Sequence, residues 1–361
     1  MSNRTHLVVM QGDGIGPEIT AATLHVLREA DKLLGLGLSF EDAVIGFDAL
    51  KMHGTTMPDA SFEAGKRADG VILGPVSHNQ YPPREQGGLN PSGEMRKRLD
   101  LYANIRPAKS RPGLPPRCGK SVDLVVVREN TEGLYADRNM FMGNGEFMPT
   151  PDVALAVRKI TRQGSTRIAE TAFKLAMQRP RKKVTAVHKA NVLRVSDGLF
   201  LECVRSVQKN YPDVEYEEQI MDAMAALLVR DASRFDVILA TNAFGDILSD
   251  EASEISGSLG LAASINAGAE HALAQAQHGS APDIAGKNLA NPASLIGSAA
   301  MLFTWLGERR KDDKLIKAAD MIERALDQAV SKPETRTGDL GGKLGTKAFG
   351  EHVASVLATV R

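Results

Sequence analysis

The sequence predicts an α/β fold, a mainly parallel sheet with helices on its faces. Three observations predict it. Short apolar, β-branched runs recur at His6–Met10, Ala68–Pro75, Val122–Val127, Lys183–Val187 and Asp236–Ala240, and Val214–Ile220 adds a further strand-like run. Helical patterns fall between them, including one that runs to about Leu34, Gly198–Lys209 and Ala223–Arg230. No internal repeat or low-complexity tract breaks the alternation, and 361 residues suffice for two lobes around one or two cores. Strand order does not follow from the runs themselves.

The first strand feeds Gln11-Gly-Asp-Gly-Ile-Gly-Pro-Glu18. Its glycines let the backbone turn tightly and approach a ligand, and Pro17 suits the first turn of a helix. The third glycine comes one residue too early for G-x-G-x-x-G and a proline follows, so a standard Rossmann fingerprint is not predicted. A tight strand-to-helix turn and a phosphate or nucleotide site both satisfy this stretch. Val76–Gly93 reads as a long polar loop, a size that is usually functional.

Beyond that loop stand Arg96 and Arg106, and Arg128 follows the strand Val122–Val127. Three guanidinium groups would pair the carboxylates of an acidic substrate in forks, although each alone reads equally well as surface charge. Arg128-Glu-Asn-Thr-Glu-Gly-Leu-Tyr135 leaves a strand end, where open α/β folds place ligands; Tyr135 there donates a proton or packs. Asn139–Pro151, rich in glycine and methionine, reads as an exposed hairpin arm whose apolar tips suit a partner subunit. Val153–Gln178 reads as one long amphipathic pattern.

Lys189 follows the strand Lys183–Val187, where a lysine near acids is either a tuned base or surface charge, and Asp222 opens a helix. In Phe235–Glu251 the strand turns at Thr241-Asn242 and enters a helix at Phe244-Gly-Asp246, with Asp246 in its first turn. Asp246 and Asp250 then share one helical face, a turn apart. Carboxylates so close repel, and a hard divalent cation with oxygen ligands would offset the repulsion. Taken alone, the pair reads as a solvated acidic helix start. Gly257–Ala276 is rich in small residues and irregular, and His278–Asn288 is too elaborate for a plain connection. Asn291-Pro292 opens a helix to about Leu306, and further helices reach Arg361, interrupted by Thr335–Gly345.

Composition narrows the class. Lys and Arg together equal Asp and Glu at 44 each, so no bulk charge or aromatic–basic platform points to nucleic acid. Two cysteines supply neither a disulfide framework nor a thiolate metal site. The apolar run near the start is too short for a signal peptide and no run is long enough to span a bilayer, so a cytoplasmic, membrane-free protein is expected.

Seven stretches, GDGIGPEI, RKRLDLYANIRPAKS, RENTEGLY, HKANV, TNAFGDILSD, HGSAPDIAGK and TGDLGG, together resemble the isocitrate/3-isopropylmalate dehydrogenase family of metal- and NAD(P)-dependent β-decarboxylating dehydrogenases. They keep the family's order over nearly the whole chain. The resemblance implies a two-lobed fold: residues 1–101 and 256–361 as a cofactor-binding lobe, and 102–255 as a smaller lobe with the dimer interface and an arm near 137–152. It implies Mg²⁺ or Mn²⁺ on Asp246 and Asp250 together with Asp222 of a neighbouring subunit. Arg96, Arg106 and Arg128 would hold the carboxylates of a 2-hydroxy diacid. Tyr135 and Lys189, the latter reaching in from the other subunit, would be the acid–base pair. Ile15, His278, Gly279, Ser280, Ala281, Asp283, Ile284 and Asn291 would bind the cofactor. Asp283 would favour NAD, because a carboxylate accepts from free ribose hydroxyls and repels a 2′-phosphate. A homodimer, or a tetramer, with shared active sites is expected.

Substrate choice in the family sits just before the first arginine. Isopropylmalate enzymes place leucines there, whereas Asn90 and Ser92 match a polar pair that meets a distal carboxylate in isocitrate enzymes. The neighbouring stretches look most like homoisocitrate dehydrogenases, but Gly93 stands where those carry arginine. Isocitrate or homoisocitrate is the expected substrate; isopropylmalate, malate or tartrate is the alternative. The family usually reads Glu-Pro-(Val/Ile)-His before GSAPDI, and this chain reads Gln275-Ala-Gln277-His278. Ala269 also follows Gly268 where an acidic residue is usual. A non-catalytic regulatory subunit of a hetero-oligomeric isocitrate dehydrogenase is a rival class, opposed by the retention of Tyr135, Lys189 and all three aspartates.

Overall fold

The computed structural model describes residues 4–135, 140 and 145–360. The chain begins with β1 (Thr5–Met10), α1 (Gly16–Leu34), β2 (Leu38–Asp42), α2 (Gly46–His53), α3 (Asp59–Arg67), β3 (Gly70–Leu73) and α4 (Pro91–Arg98). Its middle runs through β4 (Ala103–Lys109), β5 (Asp123–Glu129), β6 (Glu146–Thr150), β7 (Val153–Ala156), α5 (Arg162–Gln178), β8 (Lys183–His188) and α6 (Ser196–Gln208). β9 (Glu215–Ile220), α7 (Met221–Asp231), β10 (Val237–Ala240) and α8 (Asn242–Ser256) complete that part. β11 (Ile265–Ala267), β12 (Ala272–Gln275), α9 (Ala293–Arg310), α10 (Asp313–Val330) and α11 (Thr346–Val356) finish the chain.

Two compact units result. Met1–Leu99, Arg111–Pro115 and Ser258–Arg361 form one; Asp100–Ser110 and Pro116–Gly257 form the other. In the unit built from both chain ends the strand order is β2–β1–β3–β12–β11. All its pairs are parallel except β11 with β12. β1 is apolar without alternation, and Leu7, Val8, Val9 and Met10 are all fully buried, as a parallel strand covered on both faces requires. α9 packs on β12 and on α10, and α1 packs on α11.

In the central unit the order is β4–β5–β10–β8–β9, antiparallel only between β4 and β5. Successive side chains of a strand point to opposite faces, so each strand feeds two cores. Val125, Val127, Val184, Ala186, Val237 and Leu239 join Ile168, Phe173 and Phe200 of α5 and α6. Leu124, Val126, Val187, Ile238 and Ala240 join Met224, Leu228, Leu248 and Ala252 of α7 and α8. The mainly parallel α/β fold is therefore present. Among the described residues no helix is long and apolar enough to cross a membrane.

Several local readings change. The loop Val76–Gly93 ends early, because Asn90 caps α4 by accepting from the Gly93 N–H at 3.1 Å. Arg106 and Arg128 both lie within strands rather than beside them; Pro107, which lacks an N–H, obscures β4. Val153–Gln178 is two elements: β7, and a helix that starts only after Thr161 caps it through the Gly164 N–H at 3.0 Å. β6 and β7 form an antiparallel ribbon exposed throughout. Of the expected arm, residues 136–139 and 141–144 lie outside the described residues. α8 begins at Asn242, so Asp246 sits beyond the first turn and answers to side chains rather than to the helix terminus. Gly257–Ala276 contains the β11–β12 hairpin, whose small side chains weaken its strand signal.

Candidate active site

In the central unit, α8 presents Asn242, Asp246, Ser249 and Asp250 on one face, at helical spacing. β4 and β5 send Arg106 and Arg128 toward that face. Arg106 Nη1 donates to Asp246 Oδ1 at 3.1 Å, to Ser249 Oγ at 2.8 Å and to Asp250 Oδ1 at 3.3 Å. Arg128 Nη1 donates to the same Asp246 oxygen. Asn104 accepts from Arg106 Nε, and Asn242 Oδ1 accepts from Arg128 Nε at 2.9 Å and Nη2 at 2.6 Å. Tyr135 Oη lies 3.3 Å from Asp246 Oδ2, its ring 5.8 Å from the Arg128 guanidinium carbon. α8 lies this close to β5 because residue 245 is glycine: a Cβ there would stand 2.7 Å from Arg128 Cβ and Cγ.

Burial and the neighbouring Arg128 push the Arg106 guanidinium down to about 10, with Asp246 and Asp250 opposing. Arg106 therefore stays charged near neutral pH. A carboxylate arriving here would meet two oriented guanidinium groups. Asp246 and Asp250 remain 36% and 54% exposed, and their hard oxygen donors a turn apart suit a divalent cation of the Mg²⁺ or Mn²⁺ kind. Among the described residues of one chain, no group of three His, Cys, Asp or Glu side chains gathers into a metal-sized cluster. Asp222, exposed at the start of α7, instead pairs with Lys189 Nζ, whose ammonium holds it below the usual carboxylate range. The backbone N–H of Lys189 is fixed by Asp197 Oδ2 at 2.5 Å; Asp197 is fully buried and also holds Arg158. Sequence reading missed this anchor, since Asp197 carries no signal beyond a place in the first turn of α6.

The other unit carries the remaining candidates. The Ile15 N–H donates to Ser280 O at 2.9 Å, and a Cβ on Gly14 (φ 57°) would stand 2.0 Å from that oxygen. The GDGIG turn is thus a close seat for the His278–Asn288 loop, with Ser77 and Ser280 hydroxyls 2.7 Å apart. Asp13, also missed, is the turn's hub. Its carboxylate accepts from the Phe47 N–H at 2.8 Å, the Ser77 N–H at 2.9 Å and the Tyr81 hydroxyl. Burial, together with that Asp13 bond, pushes the Tyr81 phenol far up.

His278 Nδ1 lies 3.0 Å from Gly279 O, while Nε2 is shielded from solvent and has no hydrogen-bond partner among the described residues. An orphaned ring nitrogen on a glycine-bearing loop fits a purine-bearing cofactor. Gly279 and Asp283 are exposed, Ala281 holds a left-handed φ of 37°, and Ile284 is half-buried. Asn291, buried, donates to Asp339 Oδ2 at 3.0 Å. Ser92 and Arg96 of α4 both reach Gln275 Oε1, at 2.8 and 3.1 Å.

The isocitrate/isopropylmalate dehydrogenase family model matches residues 6–353. A 3-isopropylmalate dehydrogenase of Sulfurisphaera tokodaii is 42% identical over 340 residues, 94% of this chain and 95% of that protein. An isocitrate/homoisocitrate dehydrogenase of Thermus thermophilus is 42% identical over 355 residues, 98% and 99% of the two. Among solved structures, an isocitrate dehydrogenase from Methylococcus capsulatus matches with a TM-score of 0.86 and 38% identity, covering 98% of this chain and 99% of that one.

Burial holds His278 below the usual histidine range, so the unfolded chain takes up the extra proton first. This contribution is present above pH of about 6.5 and is lost as pH falls below it. His278→Gln is expected to lessen the acid-side loss of stability, measured by urea unfolding at pH about 7.5 and about 5.5. Equal losses in both proteins would exclude this role.

Proposed function

Because the chain belongs to the isocitrate/isopropylmalate dehydrogenase family, we propose that it oxidatively decarboxylates a 2-hydroxy diacid or tricarboxylic acid with NAD, isocitrate or homoisocitrate being the preferred type. It is a decarboxylating dehydrogenase of that family. One observation carries it: Arg106, Arg128, Tyr135, Asp246 and Asp250 form a single hydrogen-bonded cluster of carboxylate-binding, cation-binding and proton-carrying groups.

In this reading Arg106 and Arg128 orient the acid's carboxylates, each guanidinium held in place by asparagine. Asp246 and Asp250, with Asp222 of a second subunit, hold Mg²⁺ or Mn²⁺. When bound, that cation would supply Lewis acidity at the C2 hydroxyl and the adjacent carboxylate, and NAD⁺ would supply the hydride acceptor. Lys189 of the second subunit removes the hydroxyl proton, directly or through water; Tyr135 protonates the enol carbon after CO₂ leaves. Lys189 and Asp222 already pair within one chain, so both would be delivered together to a neighbour's site. Exposed Phe147, Met148, Val153 and Leu155 on the β6–β7 ribbon support a homodimer, or a tetramer, built through that arm. The unit built from both chain ends would carry the cofactor on Ile15, His278, Gly279, Ser280, Ala281, Asp283, Ile284 and Asn291.

Asn90 and Ser92 favour a polar distal group on the acid. Asn90 spends its side-chain oxygen on the α4 cap, leaving its amide N–H₂ as a donor, and Ser92 is held by Gln275. A second reading, 3-isopropylmalate or a small diacid such as malate or tartrate, is supported by a relative bearing the isopropylmalate name at the same identity, 42%, as one bearing the isocitrate/homoisocitrate name.

NADH production with Mn²⁺, measured side by side on isocitrate, homoisocitrate, 3-isopropylmalate, D-malate and tartrate, tests the reading. A clear preference for a tricarboxylate is expected; preference for isopropylmalate overturns the roles of Asn90 and Ser92, and no turnover overturns the reaction. Asp246→Asn is expected to cut kcat by at least about 100-fold with the fold intact by circular dichroism. A wild-type rate at saturating Mn²⁺ would remove Asp246 from the metal site. Asp283→Ala is expected to erode the NAD over NADP preference by about tenfold in kcat/KM, and an unchanged ratio would place the preference elsewhere.

A further inference from the structure

Between β8 and α6 the turn that carries Lys189 buries little, and Val192 and Val195 on it are 66% and 87% exposed. Lys189 Nζ pairs with Asp222, but that carboxylate is 72% exposed, and an ion pair so open to solvent holds a side chain weakly. The firm contacts are made by the backbone. Lys189 O accepts from the Val192 and Leu193 N–H groups at 3.0 and 2.8 Å, and the Asp197 N–H donates to Leu193 O at 3.0 Å. Asp197, in the first turn of α6, returns its Oδ2 to the Lys189 N–H at 2.5 Å. Its other oxygen accepts from Arg158 Nη1 at 2.6 Å. The carboxylate is fully buried, so losing either partner would be costly.

Arg158 carries this anchor on to another element. Its Nη1 also donates to Ser196 Oγ at 2.9 Å, its Nη2 donates to Thr241 Oγ1 at 3.1 Å, and its guanidinium carbon lies 5.4 Å from the centre of the Phe244 ring. Thr241 is the residue before α8, the helix that carries Asn242 and Asp246. We propose that Asp197 and Arg158 are positioning residues for Lys189: their buried pair fixes the Lys189 turn against the start of α8. The proposal rests on the reading of Lys189 as the base lent to a second subunit. One buried pair then sets both what a chain lends to its neighbour's site and what it keeps for its own. Asparagine at position 197 has the same shape but only one acceptor oxygen. That oxygen would go to the charged guanidinium, and the amide N–H₂ would face the Lys189 N–H, donor against donor.

The test uses full-length enzyme with Asp197→Asn, Lys189→Ala and the two combined. Hydrogen–deuterium exchange of the backbone amides at 189–193, followed by mass spectrometry, reads the turn without turnover. Steady-state rates with Mn²⁺ and NAD⁺, on whichever acid of the panel is turned over fastest, read the consequence. Asp197→Asn is expected to speed exchange at these amides about tenfold or more. It is also expected to lower kcat about tenfold or more, with KM for the acid within about twofold. In the Lys189→Ala background the same substitution is expected to lower kcat by less than about a further twofold, because the side chain it positions is gone.

An equal fractional loss of kcat in both backgrounds would make the pair a general support of the fold and overturn the proposal while the reaction stands. Exchange or kcat within about twofold of wild type in Asp197→Asn would overturn it equally. If Asp197→Asn does not fold, Arg158→Lys, which keeps the charge but not the fork, is expected to speed the same exchange about threefold or more, and unchanged exchange overturns the proposal instead. Wild-type enzyme that turns over no acid, with exchange at 189–193 still faster in Asp197→Asn, keeps the anchor and removes the proposed reaction. Neither turnover nor faster exchange removes both.

Discussion

The central unit depends on how two buried guanidinium groups are paired. Arg106 and Arg128 are 6% and 2% exposed, and burying such ions without partners would cost several kcal/mol each. Asp246 supplies one oxygen to both; Asn104, Asn242 and Ser249 accept from further donors of the pair. Every one of these groups is placed by a β-strand or by α8, so the cluster is as rigid as the sheet beneath it. That sheet is clamped on both faces by apolar cores, and its strands alternate between them residue by residue. A charge cluster of this kind tolerates an added anion or cation without rebuilding, because carboxylates and guanidiniums are already oriented.

The unit built from both chain ends solves a different problem, that of bringing three loops close together. Asp13 does so with one carboxylate that accepts from two backbone N–H groups and a tyrosine hydroxyl. Glycine at position 14 lets the Ser280 carbonyl approach where any Cβ would block it. The His278 ring is left with a shielded nitrogen that has no partner among the described residues, on the loop so held. Gln275 plays the corresponding part for α4, its side-chain oxygen accepting from Ser92 and Arg96.

Much of this was legible in the chain alone. Buried parallel strands advertise themselves as continuous apolar runs, and β1, β3, β5, β8 and β10 all fall where such runs stand. The four-residue spacing of Asp246 and Asp250 required a shared helical face, and α8 provides one. Less legible were β4, hidden by Pro107, and the β11–β12 hairpin, hidden by small side chains whose strand preference comes from packing rather than from the backbone. Helix starts were displaced at α4, α5 and α8, the first two by side-chain caps at Asn90 and Thr161. Asp13, Asp197 and Asn242 had no local signature, because their partners lie far away in sequence or are backbone groups.

The sequence by itself determined the α/β class, the strand-ending positions of the chemistry-bearing residues and the family to which the chain belongs, since all three rest on short-range patterns of burial, turning and spacing. Only the tertiary structure decided that Arg106 and Arg128 share one carboxylate, that Lys189 pairs with Asp222 inside the chain, and that Gln275 gathers Ser92 and Arg96. Those contacts join residues 33 to 183 positions apart. Local spacing carries no information about such pairs: they form only when parallel strands, connected through helices, bring distant strand ends to one side of a sheet.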